Sequence, residues 1–285
     1  MAAVCVIIPA FRAHDTIVRA VESLRAQTRG DWEAVIVSDD GSDYAATLAA
    51  AGIVDPRIRH ASTGRVGSGP ATARNAGLDH AEAALIAPLD ADDRFDPERL
   101  ALLVPLAQRH GAAASNVRVV DDATGTELST LFPPAGGERV LDAAGFLATS
   151  VPILFVAARA IAGRWDDDVF LCDDLPFNVR LFDKLGRIRV TARPLYEYRV
   201  RAGSICHDVR SGEWAQRGYA TVRARLETDG LGIARPEVRE LLARAVERKQ
   251  RLNRAFEAAR ARGEADNFQD FVAARGLQAG DPGGN

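Results

Sequence analysis

The densest chemistry in the chain is the run Leu89-Asp90-Ala91-Asp92-Asp93, which closes the apolar stretch 83–89. That stretch reads as a buried strand, so three carboxylates stand at the end of it. Such groups repel one another and resist burial. A divalent cation relieves the cost, because carboxylate oxygens suit Mg²⁺ or Mn²⁺. Such ions are commonly held by one or two carboxylates plus substrate phosphates. The run therefore points to a metal-assisted site for a phosphate-bearing donor. The competing reading makes Asp92 and Asp93 caps for a helix around Pro97-Glu98-Arg99-Leu100.

These residues need elements to hold them. Residues 4–8 form a continuous apolar run, as in a strand covered on both faces, and Pro9-Ala10-Phe11-Arg12 breaks it. A helix is predicted over 15–27, with Ile17, Val18, Val21 and Leu24 on one stripe. Residues 34–38 form the next buried strand, ended by the turn chemistry of Asp39-Asp40-Gly41-Ser42. A short helix over 44–51, a strand at 57–60, a glycine-rich loop at 64–70, a helix over 71–81 and a strand at 85–89 follow. This alternation predicts an α/β fold with a doubly wound, mostly parallel sheet flanked by helices. Ligands on such sheets bind beyond the carboxyl ends of the strands, where 9–12, 39–42 and 90–93 all fall. Beyond residue 100, strands are expected at 112–120, 151–157 and 188–198, a loop at 131–137, and helices over 175–185 and from 211 to 262.

Composition narrows the function. A net charge of −3 argues against non-specific nucleic-acid binding. Apolar runs are too short for a transmembrane helix, and residues 1–9 read as a strand rather than a signal peptide. Three widely spaced cysteines and no Cys-x-x-Cys pair fit a reducing compartment and make structural zinc unlikely. The expected location is the cytoplasm.

In order along the chain, several segments resemble the family 2 glycosyltransferases, which have the GT-A fold and invert the anomeric centre. Val4-Cys5-Val6-Ile7-Ile8-Pro9-Ala10-Phe11 resembles the opening strand and donor loop, with Phe11-Arg12 where Tyr-Asn is usual. Ser23-Leu24-Arg25-Ala26-Gln27-Thr28 and Val37-Ser38-Asp39-Asp40-Gly41-Ser42 match the next elements. Gly69-Pro70-Ala71-Thr72-Ala73-Arg74-Asn75-Ala76-Gly77 is similar to the family's Ala-Arg-Asn-Ala-Gly segment, and Leu89–Asp93 to its DXD-type motif. Cys172-Asp173-Asp174-Leu175 resembles the acidic motif ahead of a helix, and the segment 198–207 the late Arg and Ser segment. The resemblance covers about residues 3–208.

The resemblance implies roles. Phe11 would lie against a nucleobase whose edge meets the backbone of Pro9 and Ala10. Asp40, more than Asp39, would accept the N3–H of uracil or thymine; an Asx-turn is the alternative for the same residues. Asp92 would bind Mn²⁺ or Mg²⁺, with Asp90 and Ala91 near the ribose, and Asp93 binding through water or capping the next helix. Arg74 would reach the donor, or Asp90 and Asp92. Asp174 would be the catalytic base, its proton affinity raised by Asp173. Arg199, Arg201 and Ser204 would grip the pyrophosphate, and His207 would complete the metal shell.

The expected donor is a nucleotide-diphospho-sugar, most simply UDP-linked. The acceptor is a sugar, lipid-linked or other hydroxyl, as in bacterial surface polysaccharide synthesis. Without Gln-x-x-Arg-Trp or a membrane span, a processive synthase does not fit. A sugar nucleotidyltransferase would carry glycines and a lysine in the first loop, which Pro9-Ala10-Phe11-Arg12 lacks. A non-catalytic sugar-nucleotide-binding protein would need no base. The expected organisation is a catalytic domain over 1–208, a helical extension over 209–275 and a disordered tail over 276–285. Between residues 210 and 262, 13 Arg or Lys stand against 7 Asp or Glu, which suits peripheral contact with an anionic membrane. The apolar stripe of this extension serves packing within the chain or a homodimer.

Overall fold

A computed structural model of the chain describes residues 2–133, 137–201, 204, 210–265, 271, 272 and 274. The first half alternates strand and helix: β1 (Val4–Ala10), α1 (Ile17–Arg25), β2 (Trp32–Ser38), α2 (Tyr44–Ala50), β3 (Ile58–Ser62), α3 (Pro70–Asp79) and β4 (Leu85–Pro88). Then come β5 (Arg94–Phe95), α4 (Arg99–His110), β6 (Ala112–Asp121), β7 (Glu127–Thr130), β8 (Glu138–Asp142), α5 (Ala143–Leu147), β9 (Val156–Ala158) and α6 (Arg159–Ala162). The chain closes with α7 (Asp174–Leu185), β10 (Arg187–Val200), α8 (Ser211–Thr228) and α9 (Pro236–Ala261).

These strands form one sheet in the order β3-β2-β1-β4-β9-β6-β10-β5, with β7 on β6 and β8 on β10. The half from β3 to β4 is parallel, as the alternation requires. Val4 to Ile8 of β1 are all fully buried. Because neighbouring side chains point to opposite faces, both faces there must be covered. Pairing of Ala10 with Ser38, and of Ser38 with Ser62, aligns the carboxyl ends of β1, β2 and β3. The loops after β1, β2 and β4 therefore share one rim.

Beyond β4 the sheet is mixed. Strand β9 runs antiparallel to both β4 and β6, while β10 is parallel to β6 and antiparallel to β5 and β8. The expected strand at 151–157 is reduced to Val156–Ala158, and β6 is an interior strand flanked by β9 and β10. The β6–β10 register slips on either side of Pro194 and resumes at Tyr196 opposite Val117. Proline cannot donate to a ladder, so it sits at such irregularities. The slip sets the direction of the Tyr196 side chain, which matters below.

One apolar core runs from Val4 to Val246 and includes Val222, Val238, Leu242 and Ala245 of the last two helices. The C-terminal helices thus share the core of the sheet, and their apolar stripe is buried within the chain. The continuous helix expected over 211–262 is broken. Gly230 and Gly232 adopt φ of 65° and 66°, and Pro236 opens α9. Among the described residues no helix is long and apolar enough to cross a membrane. His207 and the tail 276–285 lie outside the described residues.

Helix α3 must approach the sheet closely to present its first turns to the rim. At Gly77 an added Cβ would lie 2.5 Å from Ile7 Cγ2 and 3.3 Å from Val37 Cγ2. Gly77→Ala should therefore cost about 1–3 kcal/mol through overpacking. Urea unfolding checks this; a variant as stable as the parent would contradict the close approach.

Candidate active site

The rim is built around one buried cation. Arg74, in the second turn of α3, is 6% exposed. Its Nη2 donates to Asp90 Oδ1 at 2.7 Å and its Nη1 to Asp173 Oδ2 at 2.6 Å. The guanidinium joins the loop after β4 to the start of α7. Burial works against its charge, but Asp90 and Asp173 outweigh it and hold it protonated. Of the contacts expected for Arg74, that with Asp90 is present; its second carboxylate is Asp173 rather than Asp92. The next residue, Asn75, accepts from the Trp165 N–H at 2.9 Å and donates to Trp165 O at 2.9 Å, fixing the approach to α7.

The acidic loop divides its labour. Asp93 is 1% exposed and accepts from the Tyr196 hydroxyl at 2.6 Å and the Arg199 N–H at 2.8 Å. It does not cap a helix, because α4 begins only at Arg99 with Glu98 as its N-cap. Burial and the negative Asp92 and Asp90 raise its proton affinity strongly. Asp92 is partly buried and faces Arg201 Nη2 at 3.7 Å, too long for a hydrogen bond. Its pKa is raised by burial first and by Asp90 second, against Arg201 and Arg19. Arg19 of α1 donates to the Asp92 carbonyl at 2.9 Å and pairs with Asp122 at 2.8 Å, bracing the loop from beneath. Buried Ala91 contributes the backbone between the two carboxylates.

At the end of β2 the two aspartates point different ways, as adjacent strand residues must. Asp39, expected at the donor, is 3% exposed and accepts from Thr63 Oγ1 at 2.8 Å and from the Ser68 and Gly69 N–H groups at 3.0 and 2.9 Å. It shapes the glycine-rich loop instead. Asp40 stays at the rim and accepts from the N–H groups of Arg12 (2.6 Å) and Ser42 (2.9 Å) and from the Tyr44 hydroxyl (2.8 Å). Burial opposes its charge, yet these donors bring its pKa down to about 2. The Asx-turn reading is present, with Asp40 as its acceptor, and Asp40 remains a half-exposed carboxylate ionised at neutral pH. Phe11 is 44% exposed beside it, with the Arg12 guanidinium 5.2 Å from its ring centre. Pro9 is partly buried, and the Ala10 carbonyl accepts from the Asp39 N–H at 2.9 Å. Arg12 adopts φ 51°, a conformation that asparagine tolerates best among non-glycine residues.

Arg199, expected to grip a pyrophosphate, is committed elsewhere. Its Nε donates to Asp122 Oδ1 at 2.6 Å and its Nη1 to Glu197. Arg201, one pleat further, is the guanidinium beside Asp92. The Ser204 N–H donates to Arg201 O at 3.2 Å.

At the opposite wall, Asp173 is 3% exposed and spoken for by Arg74. Asp174 opens α7, and among the described residues its carboxylate accepts no hydrogen bond. Burial, then the negative Asp173, push its pKa up to about 6, while Arg74 and Lys249 oppose the shift. Helix α8 presses on this segment: a Cβ on Gly218 would lie 2.3 Å from Phe170 O and 2.7 Å from Cys172 Sγ. Tyr196, Arg19 and Asp122 are site residues that motif reading did not find. Only Asp122 carried a signal, an acidic pair closing the apolar strand β6.

Five carboxylates thus converge, and three of them have internal donors. Among the described residues Asp92 and Asp174 accept no hydrogen bond from another residue. Among the described residues no group of three His, Cys, Asp or Glu side chains is arranged to hold a metal ion by itself. A single destabilised carboxylate fits an ion shared with substrate phosphates rather than one caged by protein.

The family model for glycosyl transferase family 2 matches residues 5–155, more than half of the chain. The chain belongs to that family of glycosyltransferases. Succinoglycan biosynthesis protein ExoO of Rhizobium meliloti is 42% identical over 116 residues, 40% of this chain and 33% of that protein. Amylovoran biosynthesis glycosyltransferase AmsB of Erwinia amylovora is 27% identical over 209 residues, 68% of each chain. The matches span only 33% of ExoO and 43% of ExoU, a second succinoglycan protein of the same organism. The solved structure of S. aureus TarS residues 1–349 aligns with a TM-score of 0.60 at 15% identity, covering 97% of this chain and 92% of that one. At that identity the likeness concerns the fold, which is the GT-A arrangement expected from the sequence.

Two outcomes follow from the buried charges. Arg74→Met leaves Asp90 and Asp173 without their cation and should lower stability by about 3–5 kcal/mol at pH 8. The loss should be smaller at pH 5 than at pH 8, because burial raises the proton affinity of Asp173 and a protonated carboxyl has less need of a cation. Denaturant unfolding at both pH values decides; a pH-independent loss under about 1 kcal/mol would contradict it. Asp174 carries the opposite sign. Its folded pKa of about 6 exceeds the ordinary value of 3.8, so its ionisation weakens the fold fully above pH 6 and not at all below about pH 4. Asp174→Asn should therefore stabilise the protein at pH 8 by about 3 kcal/mol at most, and by little at pH 4.

Proposed function

We propose that this protein transfers a sugar, with inversion, from a nucleotide-diphospho-sugar, most simply a UDP-sugar, to an acceptor hydroxyl in bacterial polysaccharide or glycoconjugate assembly. The observation that carries the reading is the division among the acidic residues. Asp90 and Asp173 accept hydrogen bonds from Arg74 and Asp93 from Tyr196, whereas among the described residues Asp92 and Asp174 accept none from another residue and Asp92 faces only Arg201 at 3.7 Å. Two carboxylates without such donors, each next to a partner of the Arg74 cluster, suit a two-substrate displacement.

On the donor side, Phe11 offers a half-exposed ring for a nucleobase, and Asp40 is an ionised acceptor for its N–H edge. Asp92 would hold Mn²⁺ or Mg²⁺ together with the donor diphosphate, and the bound ion would neutralise charge on the departing nucleotide. His207 would be a further ligand. Arg201 beside Asp92 is the side chain suited to the diphosphate. On the acceptor side, Asp174 takes the hydroxyl proton as the acceptor oxygen bonds to the anomeric carbon and the bond to the diphosphate breaks. A base with a pKa of about 6 is mostly ionised at pH 7 and still a competent proton acceptor. Turnover should rise with pH through about 6 and level off above it.

The UDP preference draws support from relatives. TarS is known in complexes with UDP and UDP-GlcNAc, and WfgD of Escherichia coli is named as a UDP-Glc:alpha-D-GlcNAc-diphosphoundecaprenol beta-1,3-glucosyltransferase. WfgD is 32% identical over 103 residues, 36% of this chain and 40% of that protein. A lipid-linked acceptor at the inner membrane face accords with that name and with the basic C-terminal helices. A non-catalytic nucleotide-sugar binder is the reading to test against, because it needs no base.

Asp174→Asn should reduce UDP release from UDP-sugars by about 10²–10⁴-fold while leaving UDP affinity within a few-fold of the parent. Steady-state turnover and calorimetric titration with UDP check both halves. Retained turnover would remove Asp174 from the mechanism, and lost UDP binding would make it a donor-site residue instead.

A further inference from the structure

Asp40 accepts from four donors, two on each oxygen. Oδ2 takes the Arg12 N–H at 2.6 Å and the Tyr44 hydroxyl at 2.8 Å. Oδ1 takes the Ser42 N–H at 2.9 Å and the Ser38 hydroxyl at 3.2 Å. An ionised carboxylate has about four lone-pair sites. Asp40 is therefore full, and a nucleobase N–H can join it only where a donor yields.

The donors differ in how firmly they are held. Arg12 and Ser42 donate from the backbone. Tyr44 is the first residue of α2 and is 2% exposed, and its oxygen also accepts from the Ala13 N–H at 3.0 Å. A phenol carries one proton. With Ala13 donating to the oxygen and Asp40 ionised, that proton points to Asp40. His14 packs on the Tyr44 ring at 5.1 Å between centres. It also hydrogen-bonds to Ser42 Oγ at 3.0 Å and Thr47 Oγ1 at 2.9 Å, tying the chain before α1 to α2. Ser38 is different. Its bond is the longest of the four, and a serine hydroxyl rotates. With Ser42, Tyr44 and His60 it lines a cavity of about 60 Å³, room enough for water to receive that hydroxyl.

We propose that Tyr44 is a positioning residue for nucleobase selection: it holds Asp40 by Oδ2, and the Ser38 hydroxyl yields its place on Oδ1 to the base N–H. The proposal rests on the reading of Asp40 as the base acceptor. It also names what is rejected. Uracil presents an N–H between two carbonyls, whereas cytosine presents a ring-nitrogen lone pair at that position, which a fixed carboxylate repels.

The test is calorimetric titration of UDP and CDP, with Mn²⁺, into the full-chain parent, Tyr44→Phe, Ser38→Ala and Asp40→Asn. The two nucleotides share ribose and diphosphate, so the ratio of their affinities reports the base alone. Tyr44→Phe should lower UDP affinity by about ten-fold and change CDP affinity by less than about two-fold. An equal loss for both, as a merely structural hydroxyl would give, or an unchanged UDP affinity would overturn the proposal. Ser38→Ala should raise UDP affinity by about two- to ten-fold, because no donor then has to yield. A UDP affinity no higher than the parent's would overturn the proposal, and this arm stands alone if Tyr44→Phe does not fold. Asp40→Asn should bring the UDP-to-CDP ratio towards one. If the parental ratio persists there, the reading of Asp40 fails first and the role of Tyr44 falls with it.

Discussion

The site depends on one ion cluster: a guanidinium buried beneath the rim, bonded to carboxylates from two distant parts of the chain. Arg74 on α3 meets Asp90, which follows β4, and Asp173, which precedes α7. A buried charge is costly unless paired and hydrogen-bonded, so this geometry is tightly specified. It also explains why Gly77, one turn along α3, must be a glycine: the helix has to lie close enough to β1 for Arg74 to reach both partners. The cluster leaves a negative excess around it. Burial first, and that excess after it, raise the proton affinity of Asp92, Asp93, Asp173 and Asp174 together. Under the proposed mechanism such a rim would favour a cation at Asp92 and a proton at Asp174, the two events that mechanism uses.

The mixed half of the sheet supplies the rest of the frame. The register slip at Pro194 aims the Tyr196 hydroxyl between the Asp90 N–H and Asp93 Oδ2. Fully buried Arg99 has no carboxylate of its own; it donates to Ser115 and the Leu154 carbonyl and lies 5.1 Å from the Tyr196 ring centre. Burial lowers its pKa to about 10, still well above neutral. Asp122 gathers Arg19 and Arg199, tying α1, β6 and β10 into one brace under the acidic loop. These contacts fix the loop before any ligand arrives, so little reorganisation remains when charge develops in the transition state.

Much of this was readable in the sequence because it is written locally. Continuous apolar runs marked β1, β2 and β4, and turn residues marked the rim loops. Short polar strands did not announce themselves: β7 and β8 are mostly exposed and carry no period. The site residues that were misplaced failed for tertiary reasons. Asp39 and Asp40 are neighbours whose side chains must diverge, and the sequence does not say which one turns inward. Arg199 lies in β10 and Arg201 just beyond it, and Asp122 with Glu197 takes Arg199 while Arg201 faces Asp92.

The central claim is that this rim is a nucleotide-diphosphate site completed by a cation. Thermal unfolding with UDP, GDP, dTDP or CMP, each with and without Mn²⁺, tests it most directly. A ligand at about 100 times its dissociation constant stabilises by about 2.7 kcal/mol. The account predicts a manganese-dependent rise in Tm with UDP, largest among the four and abolished in Asp92→Asn. No shift with any nucleotide, or an equal shift in Asp92→Asn, would contradict it.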